Sequence, residues 1–443
     1  MERNLRVCMA IASFHPIVGG AEKQALAQCR NLRARGYEAS VVTFRHDRRW
    51  PRHETVEGVP VVRICGLLLG GREKLPRILR RFAYALALAM MGWVLWRRCR
   101  HYDIVHVHQF TMLALPAALA CWLANKPMIV VVHSAGLGKR EKSLARLSLV
   151  AGPLDSTLAP LHIDALPKAG GDLANLERLG TLGMRASRAL LLRIRAVPVV
   201  VGSRMKGYLA AYDFTLPGVQ VIPNGVDTAR FHPGYAARAS EERARTVLCV
   251  SRLSYEKGID VLLQAWNLLQ QLAPDLKARL VIVGNGPLEP QLKWMARALG
   301  IAGSVEFAGV RGDIPAQLHR GSLAVLPSRW EGMPVAVLEA MACGLPCVAT
   351  RVSGSEDIIQ HGLNGLLVEP EDYQSLARAM VSLLGDPAAL EKYGHAARIT
   401  VEERYSLERI TSAYLELYRN VAHRAVNHTR RIPTTRETSQ RSS

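Results

Sequence analysis

Short apolar segments alternate with amphipathic helical patterns, and this alternation occurs twice along the chain. In the first half the apolar runs DIVHVHQF, PMIVVVHS and PVVVGS follow the amphipathic pattern AEKQALAQCRNLRARG. A second series starts at residue 246 and includes TVLCVSRL, ARLVIVGNGP and LPCVATRV. Short strands that are apolar throughout are typical of parallel sheets covered by helices on both faces. The pattern therefore predicts an α/β protein with two doubly wound domains.

The chain length supports this division, because 443 residues exceed the roughly 250 to 300 at which a single core stops growing. The stretch PGVQVIPNGVDTARFHPGYAARASEE is rich in Pro, Gly and Asn and predicts a linker. We predict one domain over 1–222, a second over 223–404, a final helix over 405–423 that crosses back to the first domain, and a disordered basic tail over 424–443. Such domains leave a cleft facing the carboxyl ends of both sheets.

The net charge of +20 lies almost entirely in the first half of the chain. Residues 1–223 hold 32 basic and 14 acidic side chains, whereas residues 224–443 hold 25 and 23. Such a field fits an anionic membrane or a phosphate-bearing substrate. Nucleic acid is a poorer candidate, because zinc-finger spacing and RNP-like motifs are missing and only 6% of residues are aromatic.

The segment FAYALALAMMGWVLW, residues 82–96, is uncharged and lies between the pairs Arg80-Arg81 and Arg97-Arg98. As a helix it would span about 22 Å, less than the roughly 30 Å core of a bilayer, so we do not expect it to cross a membrane. Two interpretations stay open: a buried helix of the first domain, or a helix resting in a membrane interface with its arginines at the headgroups.

The eight cysteines form no C-x-x-C pair and several lie in apolar runs, which indicates reduced, buried thiols and a reducing compartment. The start MERNLRVCMAIASF is interpreted as the first strand of a cytosolic domain and not as a signal peptide. The long connection over 136–172 indicates a functional loop or inserted helices above the cleft, without an assignable role.

Two glutamates in SRWEGMPVAVLEAMACGLP are the first candidates for chemistry. Pro334 is expected in the first turn of a helix, which would place Met333 and Val335 at an N-terminus that favours an anion. Glu331 would lie just outside that helix, and Glu339 one or two turns into an apolar run. Glu339 therefore either faces water or binds a ligand, and Glu331 either caps the helix or faces the cleft.

Two cations and two glycine loops complete the candidate anion site. In VLCVSRLSYEKGIDVL, Arg252 and Lys257 flank a strand-to-helix loop, a placement that suits a diphosphate clamp but also occurs in a solvated turn. Gly19-Gly20 and Gly284 lie in strand-to-helix loops where backbone could approach a phosphate. Because G-x-G-x-x-G and the P-loop motif are both missing, a nicotinamide cofactor or a P-loop nucleotide is not expected.

Histidines follow the apolar strands of the first half. His133 ends PMIVVVHS and is expected at the cleft edge of the first sheet, either as a structural residue or as a site residue. His106 and His108 share one strand face, but no third ligand at a zinc-like spacing accompanies them. An Asp-x-Asp motif for a divalent cation is also missing, so we expect no metal.

Taken together, these motifs resemble the retaining glycosyltransferases of family 4, which have the GT-B fold of two facing Rossmann-like domains. The resemblance covers nearly the whole chain and rests on HPIVGGAEKQALAQ, VIPNGVD, VSRLSYEKGIDVLLQA, LVIVGNGP and SRWEGMPVAVLEAMACGLP. The E-x7-E element, combined with SRLSYEKG, is highly specific. Residues 139–168 look like length added to the family pattern.

The resemblance implies roles for individual residues. Arg252 and Lys257 would neutralise the leaving diphosphate, Glu331 would contact the transferred sugar, and Glu339 would bind the ribose. His133 would lie beside the sugar. The remaining substrate-binding positions implied by the family are Gly19, Gly20, Asn224, Gly284, Val310, Arg311, Met333 and Val335.

The resemblance thus implies retaining transfer of a sugar from a nucleotide-diphosphate sugar, UDP- or GDP-linked, without a metal or other cofactor. We expect a glycan or lipid-linked acceptor in the synthesis of cell-envelope polysaccharide or glycolipid, at the inner face of the cell membrane and in contact with its anionic surface. Two alternatives stay open: a nucleotide-sugar 2-epimerase on the same fold, and a non-catalytic basic scaffold that binds membrane or nucleic acid.

Overall fold

The computed structural model of the chain contains two α/β domains, each built on one sheet. The structure describes residues 5–17, 19–69, 76–134, 172, 180–211, 216–234 and 245–429. The inserted segment predicted over 139–168 lies outside these residues.

The first sheet has eight strands in the order β3-β4-β2-β1-β5-β6-β7-β8. All neighbours are parallel except β3 and β4. The strands are β1 (Arg6–Ile11), β2 (Glu38–Phe44), β3 (His53–Val56), β4 (Val59–Ile64), β5 (Ile104–His108), β6 (Met128–Val132), β7 (Val197–Val200) and β8 (Gln220–Val221).

Strands β3 and β4 form an edge hairpin that interrupts the simple strand-helix alternation. Its turn residues Glu57 and Gly58 both have positive φ values, 47° and 80°. Such a turn matches the twist of an antiparallel pair, and it allows the hairpin to extend a parallel sheet at its edge. The alternation of the sequence did not predict this hairpin.

Helices cover the first sheet: α1 (Gly20–Ala34), α2 (Gly66–Leu69), α3 (Arg77–Arg97), α4 (Ala114–Ala124), α5 (Gly180–Arg193) and α6 (Met205–Ala211). Helix α3 has 21 residues, not the 15 of the uncharged segment, because its terminal arginines are also helical. At about 31 Å it is long and apolar enough to cross a membrane by length and composition. The length argument from the sequence was therefore wrong. Ala87, Met91 and Leu95 nevertheless lie fully buried in the first domain, so α3 is partly built into the fold.

The second sheet has six parallel strands in the order β11-β10-β9-β12-β13-β14. The strands are β9 (Thr246–Val250), β10 (Arg279–Val283), β11 (Val305–Gly309), β12 (Leu323–Leu326), β13 (Cys347–Thr350) and β14 (Gly365–Val368). Its helices are α7 (Ile259–Leu272), α8 (Glu289–Ala298), α9 (Ile314–Leu318), α10 (Val335–Ala342), α11 (Ser355–Ile358), α12 (Tyr373–Leu384) and α13 (Pro387–Arg404).

The last helix, α14 (Leu407–Thr429), returns to the first domain and packs beside α1. Arg35 at the end of α1 donates hydrogen bonds to Ser412 Oγ at 2.8 Å and to the Glu408 carbonyl at 2.7 Å. The helix continues to Thr429, past the predicted end at residue 423, so the first residues assigned to a disordered tail are helical.

A continuous apolar core runs from the first sheet into the second domain through α10, whose Val337, Leu338 and Met341 belong to it. A separate core, centred on the fully buried Trp266, lies between the second sheet and helices α7 and α12. All eight cysteines are free, and seven of them are buried. The prediction of reduced, buried thiols agrees with this arrangement.

Candidate active site

The N-terminus of α10 lies against the end of β6 in the other domain. Gly332, two residues before the helix cap at Pro334, packs so closely that a Cβ atom there would lie 1.5 Å from the carbonyl oxygen of His133. Only glycine fits this contact. The strand-end histidine and the glutamate helix, predicted separately from the sequence, therefore meet at one point.

Glu339 is buried in α10, with only 4% of its surface exposed. Its Oε1 accepts a hydrogen bond from Lys23 Nζ at 2.8 Å, and Lys23 comes from α1 of the first domain. Its Oε2 is buried and has no hydrogen-bond partner in the part of the chain that the structure describes. A buried carboxylate oxygen without a partner is costly, so this atom is a strong candidate for ligand contact. Glu339 thus does not face water.

Lys257 and Glu331 form a second close ion pair. Lys257 Nζ lies 2.5 Å from Glu331 Oε1, which also accepts a hydrogen bond from Ser328 Oγ at 2.7 Å. The loop carrying Lys257 is held in place by Gly258, where a Cβ atom would lie 2.1 Å from the Pro327 carbonyl oxygen. Tight backbone packing therefore places a cation and a carboxylate together just before the N-terminus of α10.

Arg252 is more exposed than Lys257, with 69% of its side chain accessible, and pairs with Glu256 at 2.6 Å. Its charge also acts across the domains on Glu22 of α1. Burial raises the pKa of Glu22, and the backbone N–H groups of Glu22 and Gly19 together with Arg252 offset part of that rise. Arg252 is therefore close enough to α1 of the first domain for its charge to act on Glu22.

The N-termini of α1 and α10 converge. A Cβ atom at Gly20 would lie 3.8 Å from Val335 Cγ2, so the first residues of the two helices are neighbours. Each N-terminus carries free N–H groups and the positive end of a helix dipole. Together with Arg252 and Lys257, the two ends create a positive region that suits a diphosphate.

His133, half-buried at the end of β6, begins a chain of aromatic contacts. Its Nε2 lies 3.1 Å from His108 Nδ1. The His108 ring stacks on His106 at 4.2 Å, and His106 Nδ1 lies 2.7 Å from the Tyr418 hydroxyl of α14. Burial lowers the pKa of His133 to about 4 and that of His106 to about 3, so these rings are neutral at pH 7.

His106 and His108, considered from the sequence as a possible pair of metal ligands, instead contact their neighbours through these hydrogen-bonding and stacking interactions. The described residues contain no group of three or more His, Cys, Asp or Glu side chains arranged to hold a metal ion. Asp172 supports the histidine chain from the other side, since its Oδ2 accepts the backbone N–H of His133 at 2.7 Å. Burial raises the pKa of Asp172 to about 7, although backbone donors oppose the rise.

Three further predicted positions have different surroundings. Asn224 is buried, and its side-chain amide donates to the Met333 carbonyl at 3.1 Å while its backbone N–H contacts Met333 Sδ at 3.2 Å. Asn224 thus holds Met333, just before the N-terminus of α10, in place. At Gly284 a Cβ atom would lie 1.9 Å from the Ser251 carbonyl oxygen, so chain packing already requires glycine there. Val310 and Arg311 directly follow β11, and both are exposed.

Matches to known families extend over most of the chain. Residues 18–230 match the family described as Glycosyltransferase Family 4, and residues 244–386 match Glycosyl transferases group 1. A GDP-mannose-dependent alpha-(1-6)-phosphatidylinositol monomannoside mannosyltransferase of Mycobacterium tuberculosis is 31% identical over 261 residues, which cover 55% of this chain and 67% of that protein. The chain belongs to the family 4 glycosyltransferases.

Other relatives of this glycosyltransferase match it over nearly its full length. The N-acetyl-alpha-D-glucosaminyl L-malate synthase of Bacillus anthracis is 26% identical over 424 residues, covering 92% of this chain and 95% of that protein. The structure of Anabaena HepE in complex with UDP-glucose superposes with a TM-score of 0.68 at 18% identity, covering 94% of this chain and all of that one, 100%. The predicted GT-B fold is therefore confirmed.

Sequence reasoning about this glycosyltransferase missed Lys23, Glu22, Ser328 and Asp172. Lys23 lies after the first turn of α1, and its contact with Glu339 of the other domain left no signal in the local sequence. Asp172 lay at the end of a long connection without a pattern. Its contact with His133 depends on tertiary structure and left no trace in the local sequence.

Proposed function

We propose that this glycosyltransferase moves a sugar, with retention and without a metal ion, from a nucleotide-diphosphate sugar to a lipid-linked glycan. The reaction would serve the synthesis of cell-envelope polysaccharide or glycolipid. We place the enzyme in the cytoplasm, at the inner face of the cell membrane.

The observation that carries the proposal is the pairing of two acids with two lysines around the N-terminus of α10. Glu331 pairs with Lys257. Glu339 pairs with Lys23, and its second oxygen is buried without a hydrogen-bond partner in the described ranges of the chain. A ribose hydroxyl would satisfy that oxygen, and the nearby cations would then face the diphosphate.

The chemistry follows from where charge develops. As the bond between sugar and diphosphate breaks, negative charge grows on the diphosphate oxygens and positive charge on the sugar ring. Arg252, Lys257 and the N-termini of α1 and α10 would stabilise the negative charge on the diphosphate, and the carboxylate of Glu331 would stabilise the positive charge on the sugar. Fixed cations do this work without a metal ion. The acceptor hydroxyl would attack from the same face and pass its proton to the leaving phosphate.

The neutral state of His133 suits a contact with the transferred sugar. A neutral ring can donate one hydrogen bond and accept another, and contact with His108 uses one of its nitrogens. An imidazolium at this position would repel the positive charge that develops on the sugar. Because the pKa of His133 is about 4, the ring is uncharged at pH 7 and this repulsion does not arise.

The relatives bear on donor and acceptor. One relative is named as GDP-mannose-dependent and as acting on a phosphatidylinositol mannoside, and one structural neighbour holds UDP-glucose. Both names support a nucleotide sugar as donor and leave UDP and GDP as the two candidates. The lipid-bearing acceptor named for the first, together with the basic first half of this chain, supports a lipid-linked acceptor at an anionic membrane surface.

Two measurements test this proposal. Titration calorimetry with UDP and with GDP, each with and without EDTA, should give EDTA-insensitive binding of one nucleotide. Radiolabelled nucleotide sugars should then transfer label to a lipid extract, and Lys257→Ala or Glu331→Ala should nearly abolish transfer while circular dichroism shows that each variant is still folded. Full transfer by either variant would contradict the site assignment, and inversion in the product would contradict retention.

A 2-epimerase and a non-catalytic scaffold give different results in the same experiments. The epimerase would convert the nucleotide sugar without any acceptor. The scaffold would bind neither nucleotide. The two lysine-carboxylate pairs favour the transferase over the scaffold, because a cleft without a ligand has no need for buried charges.

A further inference from the structure

The outer surface of the first domain carries apolar side chains on three adjacent helices, α3, α4 and α5. On α3 the exposed side chains follow a helical spacing, and Phe82 and Trp93 are 71% and 53% exposed. The opposite side of α3, including Met91, is fully buried. We call the exposed surface the outer apolar face; its large members are Leu79, Phe82, Leu86, Met90, Trp93 and Trp96 on α3, Leu119, Trp122 and Leu123 on α4, and Leu182 and Leu192 on α5.

The three helices form one continuous surface. Helices α3 and α4 approach so closely that a Cβ atom at Gly92 would lie 2.9 Å from the Pro116 carbonyl oxygen. The guanidinium of Arg193 on α5 lies 5.1 Å from the ring centre of Trp122 on α4. Eleven exposed large apolar side chains, four of them aromatic, lie together on these helices, and such a concentration indicates a binding surface.

The charges of these helices indicate the kind of partner that the outer apolar face binds. Their sequences contain no Asp or Glu and seven arginines: Arg77, Arg80, Arg81, Arg97, Arg185, Arg188 and Arg193. Arg97 lies over the ring of Trp93 at 5.1 Å, much as Arg193 lies over Trp122. Tryptophan beside arginine on an apolar surface is typical of the lipid headgroup region.

We infer that the outer apolar face binds the surface of an anionic phospholipid membrane, with the three helices lying in the interface. Helix α3 does not leave the domain to cross the bilayer, because its inner side belongs to the core through Ala87, Met91 and Leu95. A second copy of the chain is the poorer partner, because two such faces would bring their arginines together without acidic side chains to pair with them.

This surface would lie beside the cleft. Helix α4 begins at Ala114, shortly after β5 ends at His108, and His108 contacts His133 at the candidate active site. A lipid-linked acceptor held in the membrane would therefore be presented close to the cleft. The inference extends the proposed function by naming the surface that binds the membrane. Only the statement about the lipid-linked acceptor rests on the proposed function.

The test uses the full-length protein and vesicles of phosphatidylcholine with about 30% phosphatidylglycerol. We expect co-sedimentation that weakens at least roughly tenfold in the double variant Trp93→Glu/Trp122→Glu, which places two charges in the interface. Trp294→Glu is the matched control, because Trp294 is 50% exposed on α8 of the second domain. Binding should also weaken on pure phosphatidylcholine and when the salt rises from about 0.1 M to about 0.5 M.

Nucleotide affinity separates this inference from the proposed function. The double variant should bind UDP or GDP as the wild type does, which also shows that it is folded. Wild-type protein that binds nucleotide but not the anionic vesicles would overturn the membrane surface and leave the transferase proposal standing. Equal vesicle binding by the wild type and the double variant would overturn it as well. A wild-type dimer that the double variant breaks, with no vesicle binding, would assign the face to a second copy of the chain.

Discussion

Replacing Glu339 by alanine should weaken nucleotide binding through the ribose and through no other part of the nucleotide. Oε1 accepts a hydrogen bond from Lys23, and Oε2 is buried without a hydrogen-bond partner among the described residues, so one acceptor is available for a hydroxyl group. A hydrogen bond to a charged group contributes about 1.5 to 3 kcal/mol. The expected loss is therefore roughly 10- to 150-fold in Kd. If Lys23 also released Oε1 to a second hydroxyl, the loss would be larger.

The assay is a double cycle by titration calorimetry. Wild type and Glu339→Ala are each titrated with the preferred nucleotide, UDP or GDP, and with its 2′,3′-dideoxy analogue. The variant should lose affinity for the natural nucleotide and very little for the analogue, giving a coupling of at least about 1.5 kcal/mol. Glu289→Ala removes a partly exposed acid on α8 that pairs with Lys293, and it should change neither value. Equal losses for both ligands would refute a ribose contact, and no loss for either would remove Glu339 from the site.

Three further predictions concern the frame around the site. Gly332→Ala should destabilise the protein by about 1 to 3 kcal/mol in urea denaturation and abolish transfer, whereas Gly303→Ala, with open space around its Cβ, should do neither. Asn224→Ala should cost about 1 to 3 kcal/mol, again measured in urea, because a buried carbonyl loses its donor. The pKa of His106 is about 3 when folded and about 6.5 when unfolded, so the unfolded chain takes up a proton first as the pH falls. Stability should fall by up to about 1.4 kcal/mol per pH unit below pH 6.5, and His106→Gln should reduce that slope in denaturation curves at pH 6.5 and 5.

Most strands and helices follow from local patterns, and the site residues follow from a motif. The start of helix α7 directly after the loop of Arg252 and Lys257 was predicted, because the apolar spacing of the helix and the preceding glycine are both local signals. Helix α3 was predicted too short, because arginines were counted as breaks although they prolong the helix at both ends. The contact of Lys23 with Glu339 joins residues 316 positions apart, and only the packing of one domain on the other creates it. Periodicity predicts which side of a helix is buried, but it does not predict which helix of another domain will meet that side.

The ion pairs of the cleft also limit how a donor can bind. Lys257, Lys23 and Arg252 each form an ion pair with a carboxylate. A diphosphate must therefore compete with carboxylates for the same cations, and its net gain is the difference between two sets of charge-assisted contacts. Pairing with Glu331 also stabilises the site, because the largely buried Lys257 would otherwise be an uncompensated charge. It also favours release of the nucleoside diphosphate after transfer, since the carboxylates are in place to take the cations back. Under the proposed function, the same pairs would thus serve both stability and turnover.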